Sequence, residues 1–339
     1  MRSTLCVFAL LVLTAPALAQ LRGRVEQRSF PGPITGRTVS FNIYLPENYD
    51  STTQRYPVIY HLHGIGGNQG GPQNSTVPAS FEAALAQGLI GPVIVVFPNG
   101  YTDGWWADSV SFDKPAETDA VRQLIPHVDQ TFRTLPTRGA RVIQGFSMGG
   151  FGATKFYSKF PELFVACVEY DGAIVTWSTM QQFHAAQASA IFGNSQDYFD
   201  QFSPWHWTQQ HAPALQAGNP VRMVVGALDG GNRQFRDHLT SLGIPVDYVE
   251  TGCAHDLGCL FAAQGLNSAA FIAARLDLSP CDPDVNCDGS ANGFDVLATE
   301  AAVNGDYSDF CQPSADLNND GADNGFDVET AEQRVNGVC

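Results

Sequence analysis

The sequence has 339 residues, enough for about two domains of average size. Hydrophobic residues make up 44% and charged residues 15% of the chain, which excludes a disordered or highly solvated polypeptide. The formal net charge is −16 at pH 7, whereas binding to nucleic acid or to an anionic membrane requires a basic face. We therefore expect no nucleic-acid partner.

The first 19 residues have the organisation of an export signal. Arg2 supplies a positive charge, Leu5 to Leu13 form a short apolar run, and Ala17-Leu18-Ala19 is a small-residue cleavage site. The apolar run is too short to span a bilayer, and no later segment reaches the ~20 apolar residues that a membrane helix needs. The sequence therefore predicts a signal peptide over 1–19 and a secreted protein, extracellular or periplasmic, without a membrane span.

Export would place the remaining cysteines in an oxidising compartment, where disulfides are the expected state. Seven cysteines follow the predicted signal: Cys167, Cys253, Cys259, Cys281, Cys287, Cys311 and Cys339. Seven is an odd number, so at least one thiol has no partner within the chain. Cys167 lies in the apolar run 164–168 and is predicted to be a buried free thiol.

From residue 38 to residue 278, short apolar runs alternate with helical patterns. The predicted strands are Val39–Leu45, Val58–Leu62, Val93–Phe97, Arg141–Gln144, Val165–Glu169, Arg222–Ala227 and Val246–Glu250. The predicted helices are Ala79–Gln87, Ala116–Phe132, Gly149–Lys159, Asn232–Leu242 and Leu260–Leu276. This alternation predicts an α/β domain over 20–279 with a mostly parallel sheet. The stretch 172–215 interrupts the alternation and is interpreted as an insertion that caps a cleft.

The strongest chemical motif is Gly145-Phe146-Ser147-Met148-Gly149, between a predicted strand and a predicted helix. In G-x-S-x-G the glycines allow a sharp turn that exposes the serine hydroxyl above the edge of the sheet. The N–H of Met148 would then point to the place where a negatively charged oxygen develops. We predict that Ser147 is a nucleophile.

A serine nucleophile needs a base and an acid, which follow it in the chain as acid and then histidine in this architecture. His255 lies in the loop after the strand predicted over 246–250 and is the predicted base. Asp229 and Asp171 each follow a predicted strand. Asp229 is favoured as the acid because it follows the penultimate strand, and Asp171 is the alternative.

A second oxyanion donor is expected from the glycine-rich turn 64–67, with the N–H of Ile65 as the predicted group. His61 and His63 precede this turn, but no third ligand at suitable spacing accompanies them, which favours core or loop histidines over a metal pair. Four tryptophans in predicted loops either line an aromatic or sugar-binding cleft or pack in the core: Trp105, Trp106, Trp205 and Trp207.

Three segments carry a family resemblance: His63-Gly64-x-Gly66-Gly67, the run from Glu117 to Asp129, and Gly145–Gly150. Over about residues 25–276 the chain resembles the secreted "putative esterase" family of α/β-hydrolases. That family includes feruloyl and acetylxylan esterases, S-formylglutathione hydrolases and mycolyl acyltransferases. The resemblance implies Ser147 as nucleophile, Asp229 as acid, His255 as base, Ile65 and Met148 as oxyanion donors, and no cofactor for catalysis. A disulfide between Cys253 and Cys259 would either hold His255 in place or act as a plain staple.

Residues 280–339 differ abruptly in composition, with thirteen acidic residues and one basic residue, Arg334. They contain two copies of the pattern D-x-N-x-D-G-x-x-N-G-F-D, 32 residues apart. Oxygen ligands at positions 1, 3, 5, 9 and 12, with glycine at position 6, are typical of a calcium loop. The predicted ligands, including the position-7 carbonyl of each loop, are Asp284, Asn286, Asp288, Ser290, Asn292 and Asp295, and then Asp316, Asn318, Asp320, Ala322, Asn324 and Asp327.

The paired loop-helix repeats resemble a type I dockerin domain, which implies two structural Ca²⁺ ions and a cohesin-like protein partner. Cys287, inside the first loop, departs from the common dockerin pattern. The leading functional hypothesis is a secreted serine ester hydrolase that deacylates polysaccharide, or a small ester, and is anchored through this tail. The alternatives are an acyltransferase of the same fold and a catalytically inactive assembly or adhesion protein.

Overall fold

The computed structural model describes residues 21–218, 220–278, 285–286, 288, 290–311, 314–318 and 322–336. The predicted signal peptide over 1–19, and Cys281, Cys287 and Cys339, lie outside these residues. Among the described residues, no helix is long and apolar enough to cross a bilayer.

One eight-stranded sheet organises the part of the chain up to residue 278, in the order β1-β2-β4-β3-β5-β6-β7-β8. The strands are β1 (Arg24–Pro31), β2 (Thr38–Leu45), β3 (Val58–Leu62), β4 (Ile94–Pro98), β5 (Arg141–Phe146), β6 (Ala166–Tyr170), β7 (Val221–Val225) and β8 (Val246–Glu250). β1 and β2 pair antiparallel with each other, and β2 pairs antiparallel with β4. All other neighbouring strands are parallel, so the predicted α/β fold is confirmed.

Helices cover both faces of the sheet. They are α1 (Gln73–Ala86), α2 (Ile125–Thr131), α3 (Met148–Lys159), α4 (Trp177–Phe183), α5 (Ala185–Ala190), α6 (Gln196–Asp200), α7 (Pro204–Gln210), α8 (Ala212–Gln216), α9 (Asp229–Ser241) and α10 (Leu257–Ala273). Successive residues of β3 alternate between the two cores: Val58 and Tyr60 pack with the α3 side, whereas Ile59 packs with α1 and α10. Burial on both faces explains why the central strands are continuous in apolar residues.

Two elements differ from the sequence prediction. β1 was not predicted because it is a mostly exposed edge strand that pairs with β2 alone, and its polar sequence lacks the apolar signal of the inner strands. The helix predicted over 116–132 is divided into a π-helical segment, Thr118–Leu124, and α2. Residues 172–215 fold into the short helices α4 to α8, and Phe199 of α6 packs on Phe151 of α3 with ring centroids 6.1 Å apart.

The acidic tail forms α11 (Gly293–Val303) and α12 (Gly325–Val335). Asn292 and Asn324 cap these helices in the same way, each in a reciprocal capping box with the aspartate three residues later. A small apolar cluster joins the described parts of the repeat: Val285, Ala298, Ala302, Phe310, Ala315, Leu317 and Ala331. The repeat seen in the sequence is therefore also a repeat of local structure.

Candidate active site

Ser147 lies at a sharp turn between β5 and α3. Its φ of 59° and ψ of −120° are strained for a residue with a side chain. The neighbouring glycines are sterically required, because a Cβ on Gly145 would lie 2.1 Å from the carbonyl oxygen of Gly149, and one on Gly149 would lie 2.0 Å from that of Leu62. The predicted elbow is thus present at the predicted serine.

His255 meets Ser147 from the loop that follows β8. Its Nε2 lies 2.9 Å from Ser147 Oγ, and its Nδ1 lies 2.6 Å from Asp171 Oδ2. The imidazole stacks on the Phe146 ring at a centroid distance of 4.6 Å. Residues from three separate loops therefore form one continuous hydrogen-bonded chain.

The expectation that Asp229 orients the imidazole is wrong. Asp229 is the first residue of α9, its side chain is 44% exposed, and it forms an ion pair with Arg233 at 2.9 Å. The loop after β7 instead contributes backbone donors: the N–H groups of Gly226 and Leu228 donate to Asp171 Oδ1 at 2.8 and 2.9 Å. The carboxylate at His255 thus comes from the end of β6, the alternative that the sequence analysis ranked second.

Asp171 is held tightly in this position. It is fully buried, and its backbone has a left-handed φ of 45°, a conformation that aspartate tolerates better than most residues. Its own N–H donates to Val224 O at 2.7 Å, which fixes the turn against β7. The sequence signal was an Asp-Gly pair directly after a strand, but the same signal also follows β7, so sequence position could not separate the two.

The two predicted oxyanion donors belong to segments next to the serine: Met148 follows it in the chain, and Ile65 follows Gly64, which approaches it in space. Met148 begins α3, so its N–H has no acceptor within the helix, and Ile65, a residue that is 45% exposed, lies in the turn after β3. A Cβ on Gly64 would lie 3.1 Å from Ser147 Cβ, so this turn passes directly beside the nucleophile. The turn that carries Ile65 therefore lies next to Ser147, and the assignment of the Ile65 and Met148 N–H groups to an oxyanion stays a prediction.

A disulfide links Cys253 to Cys259 and encloses His255 in a short loop. Asp256, next to the histidine, caps α10 by accepting the N–H of Cys259 at 2.7 Å. The disulfide and the cap together fix the loop to the helix. Cys167 is buried and free, as predicted, and Cys311 is disulfide-bonded.

The other residues singled out in the sequence are mainly packing groups. His61 and His63 are buried, and burial lowers the pKa of each, to about 3 and about 4 respectively. Trp105 and Trp106 are fully buried rather than exposed in a cleft. Trp205 packs against Phe235 with ring centroids 4.9 Å apart, and Trp207 Nε1 donates to Gln201 O at 2.8 Å.

The two predicted calcium loops share one arrangement of hydrogen bonds. Asp295 is buried and accepts the N–H groups of Asn286 and Asn292 at 3.3 and 2.8 Å. Asp327 is likewise buried and accepts the corresponding N–H groups of Asn318 and Asn324 at 3.1 and 2.8 Å. The position-12 carboxylate of each repeat thus lies inside its own loop, and the predicted ligands Asp284 and Asp320 lie outside the described residues.

The fold and the hydrogen-bonded chain Ser147–His255–Asp171 together define an α/β-hydrolase of the serine hydrolase class. The family model described as "Putative esterase" matches residues 32–238, which is more than half of the chain. The chain belongs to this family. The prediction of a carboxylic ester hydrolase is therefore confirmed at the level of the family.

Two curated relatives are similar in sequence to part of this chain. It is 28% identical over 252 residues to Esterase Rv1288 of Mycobacterium tuberculosis, covering 63% of this chain and 52% of the relative. It is 32% identical over 149 residues to an endo-1,4-beta-xylanase/feruloyl esterase of Xylanibacter ruminicola, covering 42% of this chain and 20% of the relative. The chain thus spans about half the length, or less, of these relatives.

The fold is similar to that of a solved ferulic acid esterase, with a TM-score of 0.64. That match covers 76% of this chain and all of the other at 17% identity. At this identity the likeness shows the shared fold alone.

Proposed function

We propose that this protein is a serine ester hydrolase that works through an acyl-enzyme on Ser147. The observation that supports this is the unbroken chain from Ser147 Oγ to His255 at 2.9 Å and from His255 to Asp171 at 2.6 Å. These are hydrogen-bond distances suited to proton transfer from a hydroxyl to an imidazole.

The proposed reaction begins when His255 Nε2 takes the Ser147 proton as Oγ attacks the ester carbonyl. Asp171 accepts the Nδ1–H of His255, which keeps Nε2 free as the base and stabilises the imidazolium once it forms. The N–H groups of Met148 and Ile65 would donate to the oxyanion of the tetrahedral intermediate. His255 then returns the proton to the departing alcohol, and water releases the acyl group by the same steps. Apart from the water that is consumed, these steps use side chains and backbone groups of the chain.

The proposed substrate is an acylated polysaccharide, with a feruloyl or acetyl group as the acyl part. Two observations favour this class over a small intracellular ester: a relative named in part as a feruloyl esterase, and the predicted export signal and dockerin-like tail. In this proposal the protein is secreted and its tail supplies anchoring or assembly through a cohesin-like partner.

Hydrolysis of methyl ferulate and of p-nitrophenyl acetate by wild type and Ser147→Ala tests the proposal. Cleavage of the ferulate by wild type only would support a feruloyl esterase with Ser147 as nucleophile. Cleavage of the acetate alone would direct attention to acetylated polysaccharide. Transfer of the acyl group to an added sugar faster than to water would favour the acyltransferase, and no turnover of any ester would favour an inactive assembly protein.

The donor set of the tail suits Ca²⁺, a hard cation that prefers carboxylate, amide and carbonyl oxygens. We propose that each loop holds one ion, and the position of the Asp295 and Asp327 carboxylates inside their own loops supports this. Among the described residues no cluster of three or more His, Cys, Asp or Glu side chains forms a metal site. The predicted set depends on asparagine and backbone oxygens as well, and the ions would supply structural stability rather than chemistry.

A further inference from the structure

The predicted oxyanion turn, His63–Gly67, is attached to a second loop, Gly100–Trp106, which we term the tryptophan loop. Three hydrogen bonds join them. Gly100 N–H donates to His63 Nε2 at 3.0 Å, Trp106 Nε1–H donates to His63 O at 3.2 Å, and Gly66 N–H donates to Thr102 O at 2.6 Å. These bonds lie on both sides of Ile65, the residue whose N–H is proposed to bind the oxyanion.

The contacts of His63 determine its tautomer. A ring nitrogen that accepts the N–H of Gly100 carries no proton, so the proton of the neutral ring is on Nδ1. Nδ1 lies 2.9 Å from Gly64 O and donates to it. Burial lowers the pKa of His63 to about 4, so the ring is neutral near pH 7. A single imidazole thus binds the backbone of both loops through its two nitrogens.

Trp106 in turn is fixed by α3, the helix that directly follows Ser147. Its carbonyl accepts a hydrogen bond from the fully buried Lys155 ammonium of α3, and Lys155 also pairs with Glu117 at 2.8 Å. Its ring fits between two glycines, since a Cβ on Gly100 or on Gly152 would lie 2.6 or 2.5 Å from ring atoms. Trp106 therefore has one fixed orientation, in which its indole N–H points to His63.

We propose that Trp106 and His63 are positioning residues that hold the oxyanion turn at the distance from Ser147 that the transition state requires. This inference rests on the proposed function, since it assigns Ile65 N–H to the oxyanion. Trp106 joins α3, which follows the nucleophile, to the turn that faces it. Loss of this connection would weaken binding of the transition state more than binding of the ester.

The adjacent tryptophan provides a matched control. Trp105 is buried to the same extent as Trp106 and has a similar left-handed φ, 50° against 55°. Its indole N–H, however, has no hydrogen-bond partner in the part of the chain that the structure describes. Trp105→Phe and Trp106→Phe therefore remove the same atoms from the same loop, but only the second removes a hydrogen bond to the oxyanion turn.

The experiment compares wild type, Trp106→Phe and Trp105→Phe in p-nitrophenyl acetate hydrolysis, with thermal unfolding of each variant. We expect kcat of Trp106→Phe to fall about 10- to 100-fold with KM within about twofold of wild type. Trp105→Phe should keep kcat within about threefold. Equal losses in both variants, or a loss confined to KM, would overturn the proposal.

A second measurement separates this inference from the proposed function. A p-nitrophenyl alkylphosphonate places its P=O oxygen in an oxyanion hole while a serine displaces p-nitrophenolate, so its rate reports the hole without ester turnover. Mass spectrometry measures labelling of Ser147, which we expect to be slower by a similar factor in Trp106→Phe and unchanged in Trp105→Phe. If the wild type is labelled at Ser147 but hydrolyses no ester, the proposed function is contradicted. The labelling rates of Trp106→Phe and Trp105→Phe then still test the positioning role of Trp106.

A third variant covers the case in which Trp106→Phe does not fold. His63→Gln keeps an acceptor at this position but cannot reproduce both imidazole hydrogen bonds. A folded His63→Gln with slowed labelling at Ser147 would support the proposal. Normal labelling of this variant, or unfolding of both the His63 and the Trp106 variants, would overturn it and assign these contacts to stability alone.

Discussion

At the scale of single residues, the hydrogen bonds of Asp171 explain why this carboxylate, and not Asp229, lies against His255. Asp171 is fully buried, yet one oxygen accepts two backbone N–H groups and the other faces the imidazole. These donors hold the carboxylate beside the imidazole and satisfy oxygens that burial removes from water. The more exposed Asp229, paired with Arg233, has no comparable role at the site.

This difference gives a direct prediction. Asp171→Asn should lower kcat/KM about 10³- to 10⁴-fold, because an amide at that position favours the wrong histidine tautomer. Asp229→Asn should change it less than twofold, since Asp229 lies at a half-exposed ion pair. The measurement is ester hydrolysis by both variants under identical conditions. A large loss of kcat/KM in Asp229→Asn with a mild effect of Asp171→Asn would show that Asp229, and not Asp171, is the acid.

A second buried carboxyl, Glu169, lies two residues before Asp171. One oxygen accepts the Gly172 N–H, and the other has no hydrogen-bond partner among the described residues. Burial, together with the charge of Asp171, raises the pKa of Glu169 to about 8. The folded state therefore keeps this proton over a pH range in which the unfolded chain has lost it, and the group makes the protein less stable as pH rises from about 4.5 to about 8.

Glu169→Gln removes this titration with little change of shape. We expect the free energy of unfolding of the variant, relative to wild type, to increase by on the order of 1 kcal/mol for each pH unit between pH 5 and 8. Urea denaturation at several pH values measures it, with the exposed Glu47→Gln as control. A difference that does not vary with pH would show that Glu169 is ionised in the folded protein.

At the scale of elements, three interactions restrict the position of His255 in the loop between β8 and α10. The disulfide Cys253–Cys259 closes the loop, Asp256 caps the helix, and Phe146 stacks on the imidazole. A disulfide that closes so short a loop contributes only ~2 kcal/mol through the entropy of the unfolded chain. Its larger effect should be on the position of His255.

Replacement of both cysteines by serine tests this. We expect kcat to fall about tenfold in Cys253→Ser/Cys259→Ser, because a small displacement of the base costs more in rate than in stability. A thiol reductant should have no further effect on the activity of the double variant. Full activity of the double variant would identify the bridge as a plain staple.

At the scale of the whole molecule, the acidic residues are concentrated in the tail, away in sequence from the residues proposed for ester hydrolysis. Residues 280–339 hold most of the acidic excess, and the buried carboxylates of Asp295 and Asp327 lie within the two repeats. The groups proposed for catalysis lie between residues 65 and 255, in turns and loops that follow strands of the eight-stranded sheet. Calcium is therefore expected to act on the stability of the tail and not on the ester chemistry.

Chelation gives the corresponding prediction. Addition of EGTA should lower the unfolding temperature of the tail, while ester hydrolysis by the full chain stays within about twofold. Calorimetry with Ca²⁺ should detect two sites in the wild type and one in Asp295→Ala, with Glu300→Ala as an exposed control. Absence of calcium binding in the wild type would remove the proposed metal role of both repeats.

Local patterns in the sequence already contained much of the fold and of the candidate site. Continuous apolar runs indicated the inner strands, since those strands are buried on both faces. The elbow around Ser147 was recognisable from its two glycines. Gly145 and Gly149 lie so close to backbone oxygens that no residue with a side chain fits at either position, so the motif itself carries the signal. The two acidic loops were likewise recognisable, because the same pattern of Asp, Asn and Gly occurs twice, 32 residues apart.

Contacts between distant segments required the tertiary structure. Asp171 and Asp229 both follow parallel strands, and only the packed sheet shows that the loop after β7 donates N–H groups to the carboxylate that follows β6. The edge strand β1 carries little apolar signal because one neighbour alone pairs with it. The link from Trp106 to His63 joins residues 43 positions apart. No local pattern encodes such contacts, because they depend on how the elements pack and not on the order of residues within each one.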